Sequence, residues 1–220
     1  MIILVPQSGP NSINKKYGKW LYSLGLTPLM LPYTEEKQYI ESIERACSLV
    51  DGILLPGGID VHPELYNEEI YGALKCDMEF DLWQMAIITT AIKLKKPIYG
   101  ICRGLQLLYV YFNGILVQEF DKEYIEHDQT RNLIKRTQSF HKVTIKGFKK
   151  EYFVNSMHHQ GIDSTEDFLK CFNITVKSVS DNAVEGIEHK IHKISAVQFH
   201  PEELNRPEWN NHILEFFKGV

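Results

Sequence analysis

A chain of 220 residues, 44% hydrophobic and 24% charged, is long enough to bury one α/β core and is not composed like a disordered segment. Its formal charge of -4, with Lys and Arg scattered, removes the electrostatic case for nucleic acid or an anionic membrane as partner. No apolar run reaches spanning length, and Met1 to Pro6 lacks the basic start of a signal segment, so a cytoplasmic protein is expected. Cys47, Cys76, Cys102 and Cys171 form no CxxC pair and are expected to be reduced thiols.

In chain order, strands are predicted at Ile2 to Val5, Thr27 to Leu31, Gly52 to Leu55 and Pro97 to Ile101. Helices are predicted between them at Tyr17 to Leu24, Gln38 to Val50 and Phe80 to Leu94, with another at Leu105 to Phe112. Strand and helix in alternation imply right-handed crossovers and a mostly parallel sheet. The second half reads as strands at Phe140 to Ile145, Ile174 to Val179, Ala183 to Glu188 and Lys193 to Phe199, expected to add an antiparallel edge or extension. The tail, Glu208 to Lys218, is helical, with Trp209, Ile213, Phe216 and Phe217 on its apolar face. No repeat or linker divides the chain, so one domain over 1–220 is expected.

Gly100-Ile101-Cys102-Arg103-Gly104 stands after a buried strand and before a helix, the form of a nucleophile elbow. Such a turn strains the nucleophile's backbone, and flanking glycines avoid clashes with the neighbouring strand and helix. The helix N-terminus then offers its dipole and free N–H groups to the sulfur, which lowers a thiol pKa and prepares an oxyanion site. Cys47, Cys76 and Cys171 have no such setting and are read as structural. A thiolate needs a base, and His200 in Gln198-Phe199-His200-Pro201-Glu202 follows a strand-like run. Glu202 is spaced to reach the second imidazole nitrogen. Pro56-Gly57-Gly58 ends the third strand, and a backbone N–H from Gly57 or Gly58, with that of Arg103, would make an oxyanion pair. His158 and His159, adjacent on an extended chain, would face opposite ways, and no HExxH or CxxC motif occurs, so neither a metal nor another cofactor is expected.

Leu55-Pro56-Gly57-Gly58, Gly100 to Gln106 and His200-Pro201-Glu202 together resemble class I glutamine amidotransferases. More closely, the chain is similar to the γ-glutamyl-γ-aminobutyrate hydrolase branch, the C26-type peptidases, from Pro28 to the C-terminal helix. Gly57 to Tyr66, Arg103 and Asn155-Ser156-Met157-His158-His159-Gln160-Gly161 carry that closer likeness. The resemblance implies a flavodoxin-like α/β/α core with Cys102, His200 and Glu202 as a triad and Gly57 or Gly58 with Arg103 as oxyanion donors. It places Gln106, Ser156, His158, His159 and Gln160 against a γ-glutamyl group. Where the branch carries Arg-Asp and, three residues on, Glu in the long helix, this chain has Phe80, Asp81 and Gln84. Pro6-Gln7-Ser8-Gly9-Pro10 replaces a basic or hydroxyl-rich loop. These departures are expected to bear on the leaving-amine pocket and on oligomer contacts.

The implied activity is hydrolysis of the γ-glutamyl amide of a small conjugate, with that small molecule as partner, no nucleic acid or membrane, and a homodimer as a possible assembly. A glutaminase subunit that hands ammonia to a synthase would use the same chemistry at Cys102, but Arg103 and the 155–161 pattern tell against it. A non-catalytic binding protein of the same fold would not need His200-Pro201-Glu202.

Overall fold

The computed structural model describes residues 1–12, 15–36, 39–120, 140–162, 168–204 and 206–219. Its elements run β1 (Ile2–Pro6), α1 (Lys15–Ser23), β2 (Thr27–Leu31), α2 (Tyr39–Leu49), β3 (Gly52–Leu55), α3 (Met78–Lys93), β4 (Ile98–Ile101) and α4 (Arg103–Tyr111). There follow β5 (Leu116–Val117), β6 (Phe140–Ile145), β7 (Glu151–Asn155), β8 (Gly161–Ile162), α5 (Phe168–Cys171), β9 (Phe172–Ser178), β10 (Val184–His189), β11 (Ile194–Val197), α6 (Pro201–Leu204) and α7 (Pro207–Lys218). The predicted elements all find counterparts within a few residues; Gln38, the expected start of α2, lies outside the described residues. The strands β5, β7 and β8 were not anticipated. The first and last have two residues each, too short for an alternation to show.

One nine-stranded sheet takes the order β2-β1-β3-β4-β11-β10-β9-β6-β7. From β2 to β11 the strands are parallel; from β10 to β7 each is antiparallel to its neighbour. The antiparallel extension is therefore real, but β11 does not belong to it. It pairs in parallel with β4, Val197 opposite Ile101, in the middle of the sheet. Its four residues are all buried, as a strand covered on both faces requires, whereas β6 alternates inside and outside.

Period-2 alternation builds the three layers. Leu4, Ile53, Leu55, Ile98 and Ala196 face one side, where α2, α3 and α4 supply Ile43, Trp83, Ile87 and Leu108. Ile3, Val5, Leu54, Tyr99 and Val197 face the other, where α1 and α7 supply Trp20, Leu21, Trp209 and Phe217. This mixed α/β architecture brings the carboxyl ends of β1, β3, β4 and β11 to one edge, where ligands bind in parallel sheets. Among the described residues, no helix is long and apolar enough to cross a membrane.

Candidate active site

Cys102 occupies the turn between β4 and α4 with φ 52° and ψ -109°, a conformation an L-residue adopts only under strain. The neighbouring glycines are a steric demand. A Cβ on Gly100 would lie 2.8 Å from the Gly104 carbonyl carbon, and one on Gly104 would lie 2.4 Å from the Leu55 carbonyl oxygen. The Cys102 N–H donates to the Val197 carbonyl at 2.8 Å, tying the turn to β11. The Cys102 carbonyl accepts from the N–H groups of Leu105 and Gln106, which starts the helix.

β11 delivers His200 to the same place. Its Nδ1 is 2.8 Å from Glu202 Oε1, which leaves Nε2 for the sulfur. Burial by itself would lower the imidazole pKa; the carboxylate of Glu202 and the sulfur of Cys102 outweigh it and push it up to about 10. Asn155, at the end of β7, holds the His200 backbone from both sides: the His200 N–H donates to Asn155 Oδ1 at 2.7 Å, and Asn155 Nδ2 donates to the His200 carbonyl at 2.8 Å. The edge of the antiparallel extension thus fixes the imidazole's chain.

Tyr17 of α1, the start of the predicted helix Tyr17 to Leu24, borders the same place, and nothing in the sequence around it singles it out. Its hydroxyl accepts the Gly57 N–H at 2.9 Å and lies 3.5 Å from His200 Nδ1. Burial, then the charges of Glu202 and Cys102, raise its pKa well above the usual phenol value, so it stays protonated. Gly57 is thereby engaged, and Gly58 follows it on the cleft wall. Neither its N–H nor that of Arg103 donates to a described residue. Gly58 allows no side chain, since a Cβ would come within 2.0 Å of the Ser8 carbonyl oxygen.

Cys102, His200, Gly57, Gly58 and Tyr17 border a cleft of about 430 Å³, with Ser8, Ser12, Asp60, Lys75, Met157 and His159 on its other walls. Of the residues expected against a γ-glutamyl group, His159 alone is on this wall among the described residues. Its Nε2 is 3.1 Å from Asp60 Oδ2, and its Nδ1 is 3.4 Å from Glu119 Oε2. His158 turns away, towards Glu185 at 3.5 Å, from a loop rather than a strand, so the two imidazoles still diverge. Ser156, Gln160 and Gln106 are buried and are not among the residues lining the cleft. His200, Glu202 and Glu203 could converge on a cation, but His200 is bonded to Glu202 and Glu203 is paired with Lys16 at 2.8 Å.

Phe80, Asp81 and Gln84 do not face the cleft or the surface. They surround the Arg103 side chain, which is buried behind the elbow. Asp81 and Gln84 accept from its guanidinium, and its Cζ lies 5.0 Å from the Phe80 ring centroid. The departures in the long helix therefore lie behind the elbow, whereas the loop after β1 puts Ser8 on the cleft wall. Gln84 also donates from Nε2 to the Gln7 carbonyl at 2.8 Å, so the departure in the long helix and the one in the loop after β1 meet in one hydrogen bond. Burial already raises the pKa of Asp81 against the pull of Arg103. Gln84→Glu would add a second carboxylate there and leave the Gln7 carbonyl without its donor. It is expected to destabilise the fold by about 1–3 kcal/mol. A lower urea midpoint at unchanged slope checks this; an unchanged midpoint contradicts it.

The peptidase C26 family model matches residues 5–202. A glutamine amidotransferase-like protein of Lactococcus lactis, YvdE, is 39% identical over 193 residues, 81% of this chain and 75% of the relative. The γ-glutamyl-γ-aminobutyrate hydrolase PuuD of Escherichia coli is 30% identical over 215 residues, 91% of this chain and 80% of the relative. A GMP synthase subunit from Thermoplasma acidophilum shares the fold, with TM-score 0.67 at 21% identity over 99% of this chain and 92% of its own. The chain belongs to the peptidase C26 family, the γ-glutamyl-γ-aminobutyrate hydrolase branch of the class I glutamine amidotransferase-like superfamily. That membership makes it a hydrolase.

Proposed function

We propose that this protein is a cysteine amidase that hydrolyses the γ-glutamyl amide bond of a small γ-glutamyl conjugate, with Cys102, His200 and Glu202 as its triad. One observation carries the reading: the strained Cys102 faces an imidazole whose other nitrogen is held by a carboxylate at 2.8 Å. The γ-glutamyl side of the bond is taken from the relatives named as γ-glutamyl-γ-aminobutyrate hydrolases. A cleft of about 430 Å³ suits a glutamyl group with a small amine attached.

In this mechanism the Cys102 sulfur attacks the δ-carbonyl carbon while His200 holds the thiol proton. Charge develops on the carbonyl oxygen, which rests on the N–H groups of Gly58 and Arg103; losing one such donor costs roughly 2.7–4 kcal/mol of barrier. His200 passes its proton to the leaving nitrogen, the C–N bond breaks, and a γ-glutamyl thioester remains. Water, deprotonated by His200, then attacks the same carbon, and the thioester opens to glutamate and free thiol. Glu202 keeps the ring aligned and stabilises its charged form, and Asn155 fixes the backbone that carries it.

Glutamate release from a panel of γ-glutamyl amines, with glutamine beside them, tests the reading. Turnover of γ-glutamyl amines by the protein alone is expected. Glutamine hydrolysis that appears only with a synthase present, and no turnover of γ-glutamyl amines, would favour instead an ammonia-supplying role. The likeness to the glutamine amidotransferase-like protein YvdE is the observation behind that second reading.

A further inference from the structure

Gln198 and His200 both reach Cys102 from the chain just past β11, while Phe199 between them enters the apolar core. Gln198 is fully buried, and its Nε2 lies 3.5 Å from Cys102 Sγ, within reach of an N–H···S hydrogen bond. A carboxamide can present either its N–H or its oxygen to a neighbour, and the oxygen would repel a sulfur carrying negative charge. The surroundings decide which end faces Cys102. Gln106 Nε2 is 3.1 Å from the Gln160 carbonyl, which can only accept, so the NH₂ end of Gln106 must be there. The same nitrogen is 3.3 Å from the oxygen of the Gln198 carboxamide and donates to it. With its oxygen held by Gln106, Gln198 has its NH₂ end turned to the sulfur. The Gln160 carbonyl is fixed in turn by His158 Nδ1 at 3.0 Å, and the Gln198 backbone N–H by the Glu185 carbonyl at 2.9 Å.

We infer that Gln198 is a further catalytic residue of this site, a hydrogen-bond donor to the Cys102 thiolate, and that Gln106 is the positioning residue that sets its carboxamide the right way round. This rests on the reading of Cys102 as the nucleophile. It makes the charged sulfur the acceptor of two groups from one strand end, the imidazole of His200 and the amide of Gln198.

Alkylation by iodoacetamide at neutral pH, with the modified cysteines resolved by peptide mass spectrometry, tests this without any substrate. In the unaltered protein Cys102 is expected to react faster than the partly exposed Cys76 and Cys171. In Gln198→Met its rate should fall about tenfold, with Cys76 and Cys171 unchanged. Gln106→Leu should slow Cys102 in the same direction, and the double variant should be no slower than Gln198→Met alone, because the two side chains act as one chain. Cys47 is fully buried and stays unlabelled while the protein is folded. Should Gln198→Met expose it, Gln106→Leu carries the test. Equal Cys102 rates in the unaltered protein and the folded variants would overturn the inference and leave Cys102 as nucleophile. A Cys102 no faster than Cys76 and Cys171 in the unaltered protein would overturn the nucleophile itself, and the inference with it.

Discussion

Cys102→Gly should lose all measurable turnover and at the same time melt at a higher temperature than Cys102→Ala. The two effects have one origin. At φ 52° and ψ -109° a side chain at position 102 meets its own backbone, at a cost of order 1–3 kcal/mol, and glycine avoids that cost. Part of the gain is offset by the greater freedom of glycine in the unfolded chain, which leaves a net stabilisation of about 1 kcal/mol. For a chain of this size that is a rise of roughly 2–4 °C. Cys102→Ala keeps the strained φ and should lose turnover without the rise. Loss of a nucleophile lowers kcat by roughly 10⁴-fold or more, so the two variants should be equally inactive and differ only in stability. A Cys102→Gly protein less stable than Cys102→Ala would show that the turn is not strained.

His200→Gln should lower kcat by roughly 10²- to 10⁴-fold, the range for a lost general acid–base group. It should also change how stability depends on pH. His200 has its pKa raised on folding from 6.5 to about 10; burial works against the rise, and Glu202 and then Cys102 drive it. A group raised in this way binds its proton more tightly in the folded state. Its stabilising contribution is therefore complete below pH 6.5 and is lost as pH rises towards about 10. The unaltered protein should lose melting temperature across that interval, and His200→Gln should lose less. Parallel curves would mean that His200 is not held as a charged partner of Glu202 and Cys102.

The elements that carry chemistry were legible because each has a local signature. Gly100 and Gly104 flank Cys102 for reasons any strand-to-helix turn imposes, and Pro201 between His200 and Glu202 leaves few conformations for that pair. The parallel sheet followed from the alternation of apolar runs. What was not legible depends on contacts between distant segments. Tyr17 opens a predicted helix, and nothing in its neighbourhood signals that its hydroxyl takes the Gly57 N–H. β11 reads as another strand of the second half; only its pairing with β4 separates it from the antiparallel extension. Phe80 and Gln84 depart from the family pattern and Asp81 keeps it, yet their meaning required the Arg103 side chain, which turns inward behind the elbow. Gln106 and Gln198 both lie in recognisable motifs, but their joint role rests on the chain of amide orientations from the Gln160 carbonyl.

The central claim is that a γ-glutamyl group is carried on the Cys102 sulfur. Acid quenching during turnover of the best γ-glutamyl amine, followed by peptide mass spectrometry, tests it most directly. The account predicts a peptide containing Cys102 heavier by one glutamyl group, more abundant in His200→Gln if deacylation becomes the slower step. Turnover with no such adduct on Cys102, or with the glutamyl group on Cys76 or Cys171, would contradict it.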